Sequence, residues 1–315
     1  MIDALRARRR IAPYLRRTPL VRSPWLSDSG GGDVRLKLES LQVANSFKSR
    51  GAFNAVIARL ERDGGRLQPL VTASAGNHGR ALAEAARLFA LPLVVFTPSA
   101  APAAKLDAIR RHGADLRAIG RDYDEAERMA KAFARETGAQ FVSPYSDRDV
   151  IDGAATIALE LFEDAPDLDT LVVPIGGGGM ISGVGRVAKA IDPRVEVVGV
   201  ELDVSHVFLD SLRAGRLVEI DAGDSLADGL GGNADPETIT FALIQRFVDR
   251  IVTVSEADLA AALTGLVEHE HLIAEGAGAA ASAAIASRRI DITGRHVAAI
   301  LSGSNIDRAR LAALL

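Results

Sequence analysis

From Leu70 to Val200 the chain alternates short apolar, β-branched runs with longer alanine-rich runs. Leu70–Ala73, Leu93–Phe96, Gln140–Val142, Thr170–Pro174 and Glu196–Val200 read as strands. Gly79–Ala90, Ala103–His112, Asp124–Thr137 and Ile181–Ile191 read as helices between them. The strand runs are apolar without alternation, so both faces of each strand are expected to be covered. That pattern belongs to parallel sheets with helices on either side, an α/β architecture. Further on, a long helix is expected over Ala257–His271, then a helix of very small residues, and a last strand over His296–Leu301. No linker, low-complexity block or repeat divides the chain. The unit from about Leu67 to Val142 nevertheless reads as a compact β-α-β-α lobe set inside a larger one. We therefore expect a large lobe formed by 1–62 and 144–315 and a small mobile lobe formed by 63–143, each a mostly parallel twisted sheet flanked by helices.

Composition narrows the function classes. The 315 residues carry a formal net charge of −4, which gives no electrostatic reason to expect nucleic acid as a partner. The basic cluster Arg6–Arg10 with Arg16 and Arg17 admits a targeting or phosphate-binding reading. The stronger reading is the solvated face of a first helix, whose other face carries Leu5, Ile11 and Leu15. There is no cysteine, so disulfides, thiolate catalysis and cysteine-bound zinc are excluded. No stretch is long and apolar enough to cross a bilayer and no signal-peptide core opens the chain, so a cytoplasmic, membrane-free protein is expected. The six histidines show no metal-ligand spacing, and no G-x-S-x-G elbow is present.

Chemistry concentrates in four places. Lys48 lies in Asn45-Ser46-Phe47-Lys48-Ser49-Arg50-Gly51-Ala52, just after the apolar-rich segment Val34–Glu39. A lysine against apolar surface loses hydration, which disfavours the ammonium and leaves an amine able to attack an aldehyde. Ser74-Ala75-Gly76-Asn77-His78-Gly79 follows a strand and opens a helix, a place where backbone amides receive an anion such as a carboxylate. Gly176-Gly177-Gly178-Gly179-Met180 is a second strand–turn–helix junction. Four consecutive glycines exceed what a turn needs and suit amides curling around a phosphate. Ser302 and Ser304 follow the last strand, at the end where ligands of open α/β sheets gather. An aldehyde for Lys48, a phosphate for the glycine loop, an aromatic ring for Phe47 and Ser302, and a carboxylate for Ser74–His78 describe one ligand: pyridoxal 5'-phosphate carrying an amino acid. A rival reading is a nicotinamide-dependent oxidoreductase, with Glu201 about 20 residues past the glycines as in a dinucleotide fold. The glycine spacing argues against it, because Ser182 stands where G-x-G-x-x-G needs glycine.

Taken in order, several segments resemble the second fold type (tryptophan synthase β-like) of pyridoxal-phosphate enzymes, specifically the serine/threonine dehydratase and serine racemase group. They are Arg17-Thr18-Pro19-Leu20, Lys37-Leu38-Glu39 with Gln42, Ser46–Ala52, Ser74–Gly79, Gly176–Gly179, Ala227-Asp228-Gly229-Leu230, Glu275-Gly276-Ala277-Gly278 and Ser302-Gly303-Ser304-Asn305. The resemblance spans nearly the whole chain. It implies that Lys48 bonds the cofactor aldehyde and later moves the Cα proton. It implies that Phe47 flanks the pyridine ring, that Asn77 meets its phenolic oxygen, that Gly176, Gly177, Gly178, Gly179 and Met180 hold the phosphate, and that Ser302 faces the ring nitrogen. Ser74, Ala75, Gly76, Asn77 and His78 are expected to grip the substrate carboxylate.

A serine cannot hold the ring nitrogen protonated as an aspartate would, so prompt β-elimination is favoured over transamination. The expected reaction is dehydration and deamination of a β-hydroxy-L-amino acid such as L-threonine or L-serine to a 2-oxo acid and ammonia. The alternatives are serine racemase or hydroxyaspartate or other β-hydroxy-amino-acid dehydratase. Relatives that racemise carry serine at the place of Ala75, and alanine has no proton to give, so little racemisation is expected. Metal-activated relatives carry an acid six positions past the glutamate matching Glu201. Val207 stands there, and no metal site is expected, although Asp203 and Asp210 are near in sequence. Gly153-Ala154-Ala155-Thr156 stands where relatives often read Gly-Gln-Gly-Thr, a change on the substrate side of the cleft. The resemblance further implies a homodimer, and the end at Leu315 leads us to expect no regulatory domain.

Overall fold

The computed structural model describes residues 1–65 and 68–315, so the expected start of the small unit at Leu67 lies outside the described residues. The chain opens with α1 (Ile2–Ile11), β1 (Leu20–Arg22), α2 (Pro24–Gly30), β2 (Asp33–Leu38) and α3 (Lys48–Arg62). A second group follows: β3 (Leu70–Ala73), α4 (Asn77–Leu88), β4 (Leu93–Pro98), α5 (Ala103–Arg110), β5 (Asp115–Gly120), α6 (Tyr123–Thr137) and β6 (Gln140–Phe141). The remainder comprises α7 (Arg148–Asp164), β7 (Thr170–Pro174), α8 (Gly179–Ile191), β8 (Glu196–Leu202), α9 (Val207–Ala214), α10 (Thr240–Phe247), β9 (Arg250–Val254), α11 (Glu256–Glu270), α12 (Gly276–Ala286), β10 (His296–Leu301) and α13 (Arg308–Ala312).

Two sheets result. The larger has the order β1-β2-β10-β7-β8-β9, and all its neighbours are parallel except the β1–β2 pair. The smaller, β5-β4-β3-β6, is parallel throughout. Each order reverses once, between β10 and β7 in the large sheet and between β3 and β6 in the small one. Open α/β sheets bind ligands beyond the strand C-termini at such reversals. The segments that leave those ends are Gly176–Gly179 after β7, Ser302–Asn305 after β10, and Ser74–His78 after β3.

The apolar strands are buried on both faces, as their composition requires: β7 is buried at all five positions and β10 at five of six. Helix α12 explains the run of very small residues. Ten of its eleven residues are buried, because it lies beneath the large sheet and against α11, where only short side chains allow that approach. At its start a Cβ on Gly278 would fall 2.2 Å from the Gly303 carbonyl oxygen, so the helix end meets the tip of β10 backbone to backbone.

Several expectations shift. Helix α4 starts at Asn77 and α8 at Gly179, each two residues earlier than expected, which draws the ends of both loops into helix N-termini. Reading for apolar runs passes over β5, whose Asp115 and Arg117 alternate with apolar neighbours because it is the half-exposed edge of its sheet. The first helix buries Ala4, Ala7 and Ile11, whereas Leu5 is 40 % exposed, which corrects the expected Leu5–Ile11–Leu15 face. The small residues face α7 and α3, where a leucine would hold the helices apart. The arginine cluster is paired to acids: Arg8 with Glu163, Arg10 with Glu61, and Arg17 with Glu163 and Asp164.

Candidate active site

Lys48 is the first residue of α3, and the loop ahead of it is held in a tight path. Ala44 and Asn45 both adopt left-handed backbone (φ 56° and 55°), a conformation that a side-chain-bearing residue keeps only under surrounding constraint. That constraint is the tip of β10. Ser46 bridges Gly303, the Phe47 amide donates to the Ser302 carbonyl at 3.0 Å, and the Ser304 amide donates to the Asn45 carbonyl at 3.0 Å. The lysine is thereby fastened to the strand end that carries Ser302.

The second anchor lies two residues on. The Arg50 guanidinium is fully buried and meets Glu39 at 2.8 Å and Glu160 at 2.6 Å, and Lys37 reaches Glu160 at 2.7 Å. Arg50 also donates to Thr18 and Thr156, and Lys37 to the Thr18 carbonyl. Two cations and two anions thus balance inside the protein and tie β2, α3 and α7 together. Isolated, any of them would be too costly to bury. The sequence hint was Lys37-Leu38-Glu39, two charges inside and just past an apolar strand.

The Lys48 amine donates to the Pro144 carbonyl at 2.8 Å and stands 5.1 Å from the centre of the Phe47 ring. Burial pulls its ammonium down to about 8, against the opposing pull of the Glu275 charge. A useful fraction of free amine therefore exists near neutral pH, the direction expected for a nucleophile that meets an aldehyde.

The glycine run has two reasons, one more than expected. A Cβ on Gly177 would lie 2.2 Å from the Tyr145 ring, one on Gly179 2.9 Å from the Tyr145 carbonyl oxygen, and one on Gly176 2.7 Å from the Gly229 carbonyl oxygen. Gly178 has φ +83° and serves as the N-cap of α8. The glycines are therefore required for packing as well as for the expected anion. They also leave a cradle. Among the described residues no protein acceptor faces the amides of Gly177, Gly178 and Gly179, which converge at the start of a 13-residue helix. Such a cradle fits a phosphate. Met180 follows in the first turn and is buried. Ser302, also buried, donates to the Ala277 carbonyl at 3.2 Å and keeps its oxygen lone pairs.

Across the cleft, Ser74–Gly76 lead into α4, and a Cβ on Gly76 would meet nothing within 4 Å. Asn77 donates to Glu275 at 2.5 Å and accepts from Asn305 at 2.6 Å. The His78 ring is 1 % exposed with neither nitrogen hydrogen-bonded, and burial with the nearby Lys48 charge lowers it to about 3, so it is neutral. Its side chain belongs to the interior, and only its backbone can meet a ligand. Pro144, Tyr145, Glu275 and Asn305 were not singled out for roles. Only Glu275 and Asn305 left a signal, as members of quoted motifs.

The Glu201 carboxylate accepts from the amides of Phe208 at 3.0 Å and Leu209 at 2.8 Å, capping α9, while Val207 is buried beside it. It is thus occupied by backbone, which removes the partner that a dinucleotide ribose would need. Among the described residues the one cluster with metal-ligand spacing is Asp33, Asp167 and His296. The Arg35 guanidinium bonds both of those carboxylates, so they form a surface ion-pair network at the opposite strand ends. Among the described residues no helix is long and apolar enough to cross a membrane.

The chain is 40% identical over 97% of its length to L-threonine ammonia-lyase of Thermotoga maritima, covering 75% of that protein. It is 34% identical over 99% of its length to L-threonine dehydratase catabolic TdcB of Staphylococcus aureus, covering 91% of it. Among solved structures, maize serine racemase superposes with TM-score 0.92 at 31% identity, covering 99% of this chain and 95% of that one. The processed form of threonine deaminase isoform 2 from Solanum lycopersicum gives 0.91 at 31% identity, covering 99% of this chain and 90% of that one. Residues 11–303 match the family described as pyridoxal-phosphate dependent enzyme, and the chain belongs to that family.

Proposed function

We propose that this protein is a pyridoxal-phosphate-dependent ammonia-lyase that converts a β-hydroxy-L-amino acid, such as L-threonine or L-serine, to a 2-oxo acid and ammonia. The observation that carries the reading is the half-buried, partly neutralised Lys48 amine, fastened to the strand end of Ser302 and tied through Pro144-Tyr145 to the glycine loop with its free amides. Relatives named for threonine ammonia-lyase and threonine dehydratase activity support it.

When bound, the cofactor supplies an electron sink that lets a Cα–H bond ionise and a β-hydroxyl depart. The chain does the rest. The glycine amides and the start of α8 neutralise the phosphate. Phe47 would pack along the ring, and the Ser302 hydroxyl, turned from the Ala277 carbonyl, would donate to the ring nitrogen without a carboxylate's power to hold a proton there. Ser74, Ala75, Gly76, Asn77 and His78 would present backbone amides, and Ser74 its hydroxyl, to the substrate carboxylate at the start of α4. Lys48 takes the Cα proton at Nζ. Loss of the β-hydroxyl releases one water, and hydrolysis of the resulting enamine takes up one water and frees ammonia, so the net products are the 2-oxo acid and ammonia.

We further assign 63–143 as a small lobe that closes over the substrate and keeps water out until release. Ion pairs from α5 (Lys105–Asp228) and from α6 (Lys131–Asp235) to the 224–235 loop are the contacts such closure would make and break. A homodimer working in the cytoplasm completes the proposal. The test is to load the purified chain with pyridoxal phosphate and assay ammonia and 2-oxo acid over L- and D-serine, L- and D-threonine and hydroxyaspartate. Ammonia release from an L-β-hydroxy amino acid supports the reading. Inert holoenzyme across that panel would sink it.

A further inference from the structure

Glu275 stands just ahead of α12, and the chemistry above leaves it without a task. Its charge bears on the Lys48 amine, and its Oε1 accepts from the Asn77 side-chain nitrogen at 2.5 Å. The Asn77 oxygen accepts from Asn305 at 2.6 Å, and the Asn305 oxygen accepts from Arg80 at 2.6 Å. Asn77 and Arg80 lie on α4, which follows β3 of the small sheet, whereas Asn305 follows β10 of the large sheet and Glu275, between α11 and α12, donates its amide to the Gly303 carbonyl beyond β10. The network therefore crosses the cleft and returns. Space for the carboxyl is reserved: a Cβ on Gly303 would fall 2.3 Å from Glu275 Oε1. Burial raises this carboxyl to about 7, and the Asn77 hydrogen bond pulls it the other way.

An amide held at both its oxygen and one of its N–H groups cannot rotate. Its second N–H then points in one direction only. We propose that Glu275 is a positioning residue. Its hydrogen bond locks the Asn77 amide so that the remaining N–H serves the cofactor's ring oxygen. This inference rests on the pyridoxal-phosphate reading of the site.

The test compares holoenzymes of the wild type, Glu275→Gln and Glu275→Ala. Glutamine keeps an oxygen for Asn77 and removes the charge, whereas alanine removes both. In Glu275→Gln the cofactor dissociation constant stays within about threefold of wild type. Its visible absorption band keeps the wild-type position, because the Asn77 N–H still meets the ring oxygen. In Glu275→Ala cofactor affinity drops about tenfold or more, the loss of a charge-assisted hydrogen bond. A wild type that gives no borohydride-stable adduct at Lys48 would defeat the underlying reading. With that adduct present, a glutamine variant that loses the cofactor as the alanine variant does, or an alanine variant that holds the cofactor as wild type does, would overturn the role of Glu275 alone. A folded Glu275→Gln protein, checked by its melting curve, decides the matter even where the alanine variant does not fold.

Discussion

Lys48 Nζ donates to the Pro144 carbonyl at 2.8 Å, and the next residue, Tyr145, lays its ring against Gly177. The lysine and the glycine loop, far apart in the chain, are thereby set by one short segment, Pro144-Tyr145, which runs from β6 of the small sheet to α7. Replacing Lys48 by alanine removes the amine and leaves this framework intact. We expect Lys48→Ala to fold, to give no borohydride-stable cofactor adduct, and to lose activity by about a thousandfold or more, since a covalent and proton-moving group is gone. Peptide mass mapping after reduction checks the attachment.

The same segment makes Gly177 sensitive. A methyl group there lies 2.2 Å from the Tyr145 ring, and either the ring or the loop must move. We expect Gly177→Ala to weaken cofactor retention at least about tenfold, since displaced amides no longer converge on the phosphate. Dialysis followed by absorbance measures it. The double variant Gly177→Ala/Tyr145→Ala, which restores the space, should recover part of the loss.

The buried Arg50 network carries a stability prediction. Arg50→Ala leaves Glu39 with no cation and Glu160 with Lys37 alone in the interior. Breaking a buried pair from one side costs about 3–5 kcal/mol, so a large drop in the urea midpoint is expected. A drop under about 1 kcal/mol would show that water or rearrangement relieves the orphaned charge.

His78 gives a pH dependence with a definite sign. Its folded value, about 3, lies below its ordinary value of 6.5 because burial disfavours the imidazolium. The unfolded chain therefore binds one more proton between those limits. Stability from this group is fully present above about 6.5 and is lost as pH falls toward 3, with a slope of about 1.4 kcal/mol per pH unit. Urea unfolding between pH 6.5 and 4 should show a shallower fall in His78→Gln than in wild type, by about that slope.

Ala75 decides between elimination and racemisation in our reading. Ala75→Ser places a hydroxyl in the turn ahead of α4, where it can give or take a proton. Chiral chromatography of recovered serine should show D-serine in the variant and almost none in wild type. Equal D-serine from both proteins would remove Ala75 as the reason.

Much of this molecule was readable from the one-dimensional pattern, for a local reason. Unbroken apolar strands such as Thr170–Pro174, glycine turns such as Gly176–Gly179 and the small-residue helix at Gly276 each express a constraint on their own few residues. The alternation, the parallel sheets and the candidate lysine followed from those constraints together with the family resemblance. Tertiary structure decided what depends on partners distant in sequence. It placed Pro144 at the lysine, Tyr145 over the glycines, Glu160 on Arg50, Glu275 on Asn77, and turned the His78 ring inward. It also exposed Leu5 and buried Ala4 and Ala7, because the space between α1, α3 and α7 admits only small side chains. A sequence ranks residues by chemistry and spacing, whereas burial, charge balance and the direction of a hydrogen bond are set by which elements the fold brings face to face.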